Sequence, residues 1–214
     1  MRRGTTLASL LLFSMGFAYV EAAVVAYLRM LSGFPRRVFP LVFLPERFAL
    51  IELGREAATL VIIFAVALLA EKRWLNRFYA FFLVFGLWDI FYYLFLKVFL
   101  GWPSSPLEQD VLFLLPLPWI GPVVAPVAVA LLFSIQGFFY LERELSLRQP
   151  LAWGLSFFGG SLFVIYSFII PAWGEVSRAG IKGLEGFVPM GFPWIPFLLG
   201  FFLLVLSNLW VQRG

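Results

Sequence analysis

Residues 111 to 141 are thirty-one consecutive residues without a single charged side chain. A hydrocarbon core of ~30 Å is crossed by about 20 apolar residues in a helix, so this run is longer than one crossing needs. Other long uncharged runs follow Gly4, Ala57 and Leu151. Soluble chains are roughly half apolar and a quarter charged, whereas this one is 62% hydrophobic and 13% charged. A water-soluble domain of this size could not cover itself with so little polar surface. The expected fold is an all-α integral membrane protein of about six transmembrane helices in one bundle. No Ser/Gly-rich linker, low-complexity tract or block of like charge divides it, so residues 1–214 read as a single polytopic membrane domain.

Placing the runs against the ~30 Å core gives helices at about 5–31, 47–70, 74–100, 122–140, 150–171 and 193–211. The first opens like a secretory signal, but its apolar run continues past Glu21 through Ala22 to Val25, long enough to span. The first half of the run that holds the fourth contains Pro116, Pro118, Pro122 and Pro126. Proline disrupts a helix interior and suits its start, so an irregular or re-entrant lead is expected there, with the crossing beginning near Pro122.

Six crossings put both termini on one side. Near the helix ends that side carries Arg2, Arg3, Lys72, Arg73, Arg77, Arg143, Arg148 and Arg213; the other carries Arg36, Arg37, Arg47, Arg178 and Lys182. Eight against five favours cytoplasmic termini in a bacterial inner membrane, although the first loop, with three of the five, pulls the other way. The net charge of +4 is too thinly spread for a nucleic-acid footprint.

The chain has no cysteine and no histidine. That disfavours haem b, zinc, iron–sulfur clusters and every Ser-His or Cys-His relay, each of which needs thiolate or imidazole. No cofactor is expected. Any chemistry falls to carboxylates, Arg, Lys, Tyr or backbone.

Charged residues inside the spans are the functional signal. Counting 1.5 Å per residue, Glu21 and Glu56 come to similar depths in the half of the membrane away from the termini, with Glu52, Arg55, Arg29 and Lys97 in the same half and Asp89 nearer the midplane. A charged side chain at the bilayer centre costs about 2.5–3.5 kcal/mol on insertion scales, so such groups face the bundle interior and pair. Glu52, Glu56 and Thr59 share one helical stripe, Asp89 precedes Tyr93 by one turn, and Tyr93 precedes Lys97 by one turn. The expected site is a buried polar cluster of Glu21, Glu52, Arg55, Glu56, Asp89, Tyr93 and Lys97.

Three roles fit it. The charges could neutralise one another as structural glue, line a water-accessible path, or act on a substrate. The carboxylates have no metal-binding spacing of the Asp-rich kind. The loop from Gly174 to Met190 could cap the cluster from outside. The leading reading is a non-enzymatic transport protein that binds or conducts a small solute, proton or lipid. The rivals are an accessory subunit of a larger membrane complex and a lipid-modifying enzyme with a carboxylate base. The expected partners are the lipid bilayer and other membrane subunits.

Overall fold

A computed structural model describes residues 3–31, 33, 38–42, 46–115, 117–141 and 143–213, with the side chains of 3, 46–48 and 213 excepted. Arg2, Arg36, Arg37 and the Arg47 side chain from the charge count, Pro116 and Glu142 therefore lie outside the described set.

Among the described residues there are six α-helices: α1 (Arg3–Leu31), α2 (Glu46–Ala70), α3 (Trp74–Leu100), α4 (Val124–Tyr140), α5 (Pro150–Ala179) and α6 (Trp194–Ser207). Four of them, α1, α2, α3 and α5, are long and apolar enough to cross a membrane. The chain is thus a helical membrane protein. Helices α4 and α6, of 17 and 14 residues, are shorter and are extended by other structure.

Two antiparallel strand pairs qualify the all-α expectation: a first, which is a hairpin, of β1 (Gln109–Phe113) with β2 (Trp119–Pro122), and a second, between distant segments, of β3 (Leu145–Leu147) with β4 (Val211–Arg213). The first occupies the proline-rich lead, so the irregular lead expected before the fourth helix is a strand pair, and the helix begins at Val124 rather than Pro122. Proline cannot donate to a ladder and is confined to strand edges and ends, and Pro122 closes β2 where α4 takes over. Val123 and Val124 donate to the carbonyls of Glu108 and Pro106 at 3.0 and 2.8 Å, fixing the base of the hairpin to the chain that enters it.

The fifth helix does not stop at Pro171 but runs on to Ala179. Proline deletes one helical hydrogen bond. Ala172 and Val176 beyond it remain in phase to pack on Ile120 and Leu184, and that burial carries the helix past the defect. It ends at Gly180, whose φ of 67° is left-handed. The sixth helix ends at Ser207 rather than Val211, because residues 208–210 form a 3-10 turn and 211–213 pair with β3.

Glycines set how closely the helices meet. A Cβ on Gly86 would collide with the Ala130 carbonyl, and one on Gly137 with Leu83, where α3 crosses α4. On α5 and α6, Gly160 and Gly200 face each other so closely that a Cβ on either would stand 2.7 Å from the other's carbonyl oxygen. In lipid, helix association relies on this kind of close approach because tails and side chains are equally apolar. Phe82, Phe133 and Phe157 fill the space between α3, α4 and α5, while Ala18, Ala22 and Ala26 of α1 are buried one turn apart.

Candidate functional site

The first hairpin packs against the helices and organises the polar residues. Its tip reaches α3 and α5: Phe113 lies 6.5 Å from Trp88 between ring centroids, and Trp119 stacks on Phe168 at 6.2 Å. The segment 181–187 and residues 39–41 cover its back. The Leu41 N–H donates to the Phe187 carbonyl at 3.0 Å, and Leu184 is fully buried with Ile120. Chain in the 174–190 region therefore covers the apolar face of the hairpin, and Arg178 and Glu175 pair with each other in the open.

On the front, two charged groups form. In one, Arg55 of α2 donates to Glu21 of α1 through Nη1 and to Glu52 through Nη2 and Nε, the last at 3.0 Å. Thr59 Oγ1 lies 3.1 Å from Glu21 Oε2 and 3.0 Å from the Arg55 carbonyl, and its single proton serves one at a time. Helical spacing explains the set: Glu52, Arg55 and Thr59 fall on one stripe of α2 turned toward α1.

In the other, Arg29 near the end of α1 donates to Asp110 of β1 at 3.1 Å, and the Tyr93 hydroxyl of α3 donates to the second Asp110 oxygen at 3.0 Å. The Arg29 guanidinium also sits 4.0 Å over the Trp102 ring, a contact that favours a cation in a dry place. Trp102 in turn donates to Glu108 at 2.8 Å. Burial works against the Glu108 charge, yet the Ser104 hydroxyl and N–H and the Trp102 indole outweigh it and hold this loop carboxyl below the usual range.

Glu56 ties the two groups together. Its side chain is buried, and its two oxygens receive the Leu114 backbone N–H at 3.1 and 2.9 Å. The hairpin tip has no strand neighbour there, and a carboxylate supplies the acceptor that a buried N–H requires.

Asp89 stands one turn before Tyr93. Its Oδ2 is buried with no hydrogen-bond partner among the described residues, within electrostatic reach of Asp110. Lys97 stays outside the cluster: its exposed ammonium donates to the carbonyls of Gly101 and Pro103 at 3.3 and 2.6 Å, where a cation suits the C-terminal end of α3. Of the expected residues, then, Glu21, Glu52 and Arg55 meet directly. Glu56 joins through the hairpin, Tyr93 belongs to the Arg29 group, Asp89 lies beside it, and Lys97 is elsewhere.

Sequence reasoning did not place Asp110 in the cluster. The available signal was its position as the last charge before the uncharged run. The whole site contains five carboxyl groups, Glu21, Glu52, Glu56, Asp89 and Asp110, against two guanidinium groups, Arg29 and Arg55. Among the described residues no three carboxyls converge as a metal ion would require.

The chain matches no protein-family model, and neither curated proteins nor solved structures yield a similar chain.

Proposed function

We propose that this protein is a six-helix, single-domain bundle whose polar cluster takes up protons from one face of the membrane and passes them inward. In this reading α4 and α6 complete their crossings through the first hairpin and the extended residues 188–193. The termini are cytoplasmic, the membrane is a bacterial inner membrane, and the cluster lies in its outer half. The observation that carries the reading is the excess of carboxyls over cations. An unpaired ionised carboxylate is too costly in a low-dielectric interior to persist there, so the surplus acids call for protons or small cations. Protons fit best, because among the described residues no three acids are arranged to hold a metal ion and because two cavities, of about 690 and 300 Å³, are lined by residues outside the cluster. A proton needs no cavity of solute size.

A second reading is favoured by the way Arg55 is held between Glu21 and Glu52 and Arg29 against Asp110: the cluster is internal glue in an accessory subunit of a larger complex. One experiment separates the two. The purified protein is placed in liposomes containing a pH-sensitive dye, and a potassium diffusion potential is imposed. Proton entry faster than in protein-free vesicles, and slowed by Asp89→Asn, supports proton passage. Entry no faster than in those vesicles sinks it and leaves the glue reading standing.

A further inference from the structure

We propose a second site, independent of the polar cluster and at the opposite end of the bundle: a groove between the N-terminal ends of α3 and α5 that holds one anionic phospholipid. Its volume is about 690 Å³, within the roughly 300–1,000 Å³ of ordinary ligand pockets. The walls are apolar, chiefly Leu75, Leu147, Trp153 and Phe158, and the polar groups, Arg73 and Ser146, lie toward the helix starts. That polarity is the polarity of a lipid, head at one end and chain along the other.

Depth agrees. The charged turn Glu71-Lys72-Arg73 joins two spanning helices and so sits at headgroup level. Directly beneath, Trp74 and Trp153 meet edge to face with centroids 6.2 Å apart, as tryptophans do at a membrane interface. Phe158 lies eight residues into α5, about 12 Å below its start, the right direction for an acyl chain. Charge agrees too. Among the described residues Arg73 pairs with Glu144 at 2.8 Å, with 58% and 74% of the two side chains exposed. So exposed a pair is weak and screened by salt, and a phosphate can take the guanidinium from it. The start of α3 has no side-chain cap, and its free N–H groups add to the attraction for an anion. The smaller groove between α1, α3 and α4 is lined by apolar residues and Ser134 and offers no cation to a headgroup.

The test is native mass spectrometry of the full chain in mild detergent, titrated with dioleoyl phosphatidylglycerol. One bound lipid per chain is expected. Arg73→Gln should weaken it about fivefold, the worth of one cation near an anionic headgroup. Glu144→Gln, which frees Arg73, should strengthen it. Gly154→Leu should abolish it by filling the groove, since no atom lies within 4 Å of the Cβ position at Gly154 and the new side chain starts into open space; an unchanged melting temperature checks that the fold is kept. Equal retention by the wild type and by either Gly154→Leu or Arg73→Gln would overturn the proposal. So would release of the lipid by excess inorganic phosphate, because a headgroup-only site needs no groove.

Discussion

The α5/α6 pair and the α1/α2/α3 corner meet the same problem, holding helices together in a solvent as apolar as they are, and solve it differently. Between α5 and α6 the backbones touch at Gly160 and Gly200, and aromatic rings such as Phe168 and Phe197 fill the rest. In the corner, α1 and α2 are bridged by Glu21 and Arg55, and a strand from elsewhere in the chain is fastened to both α1 and α2 by carboxylates. Close packing needs only shape. The polar corner needs charge balance as well, and it has more acids than cations. A region built that way is sensitive to protonation, while the glycine crossing is not.

The contrast breaks first at Arg55. Replacing it with alanine leaves Glu21 and Glu52 facing each other without their cation, and removing one member of a buried pair costs about 3–5 kcal/mol. The expected result is a large loss of thermal stability in detergent, mostly recovered when Glu21→Gln is added, since the second change removes the stranded charge. If Arg55→Ala melts within a degree or two of the wild type, the corner is held by packing after all.

Gly160→Leu tests the other side. It forces α5 from α6, and overpacking of a tight contact costs about 1–3 kcal/mol. Gly159→Leu is the control, because nothing lies within 4 Å of its Cβ position. Neither change should alter the pH dependence of melting. A pH-dependent loss in Gly160→Leu would mean that the two regions are coupled.

Much of the fold is readable in the sequence because apolar runs mark helices directly: the end of α2 and the start of α3 fall at the charged turn Glu71-Lys72-Arg73. Legibility fails where apolar runs contain something other than helix. Residues 111–122 are apolar without the alternation that marks a strand, since the hairpin packs among helices and both of its strands are at least half-buried. Pro171 reads as a stop because burial of Ala172 and Val176 against a distant strand is invisible locally. The candidate site is legible as a depth, since 1.5 Å per residue brings Glu21 level with Glu56. It is not legible as a set of bonds. That Glu56 serves a backbone N–H at Leu114, and that Arg29 finds Asp110, depends on the hairpin, which no spacing rule revealed.

Glu56→Gln sharpens the role of that hairpin. The amide keeps one carbonyl acceptor for Leu114 but removes the charge, and hydrogen bonds inside membrane proteins average about 0.6 kcal/mol. A small fall in melting temperature is expected, with a clear gain in amide hydrogen exchange confined to residues 113–119. Unchanged exchange there would mean that Phe113 and Trp119 alone hold the tip.

The smallest effect expected is at Glu108, which lies in the loop that leads into the hairpin. Its carboxyl is held below the ordinary range, so the folded state favours the ionised form. The stability this contributes is fully present above the unfolded value, about 4.3, and is lost as pH falls through the lower folded value. Between pH 5 and 3 the wild type should lose stability faster than Glu108→Gln, which has no proton to take up at this position, and the difference should vanish at the acid end. Tryptophan fluorescence during unfolding reads it directly, because Trp102 donates to this carboxyl. Parallel pH curves for the two proteins would show that Ser104 and Trp102 do not stabilise the charge, and that the entrance to the hairpin, unlike its tip, is held by packing.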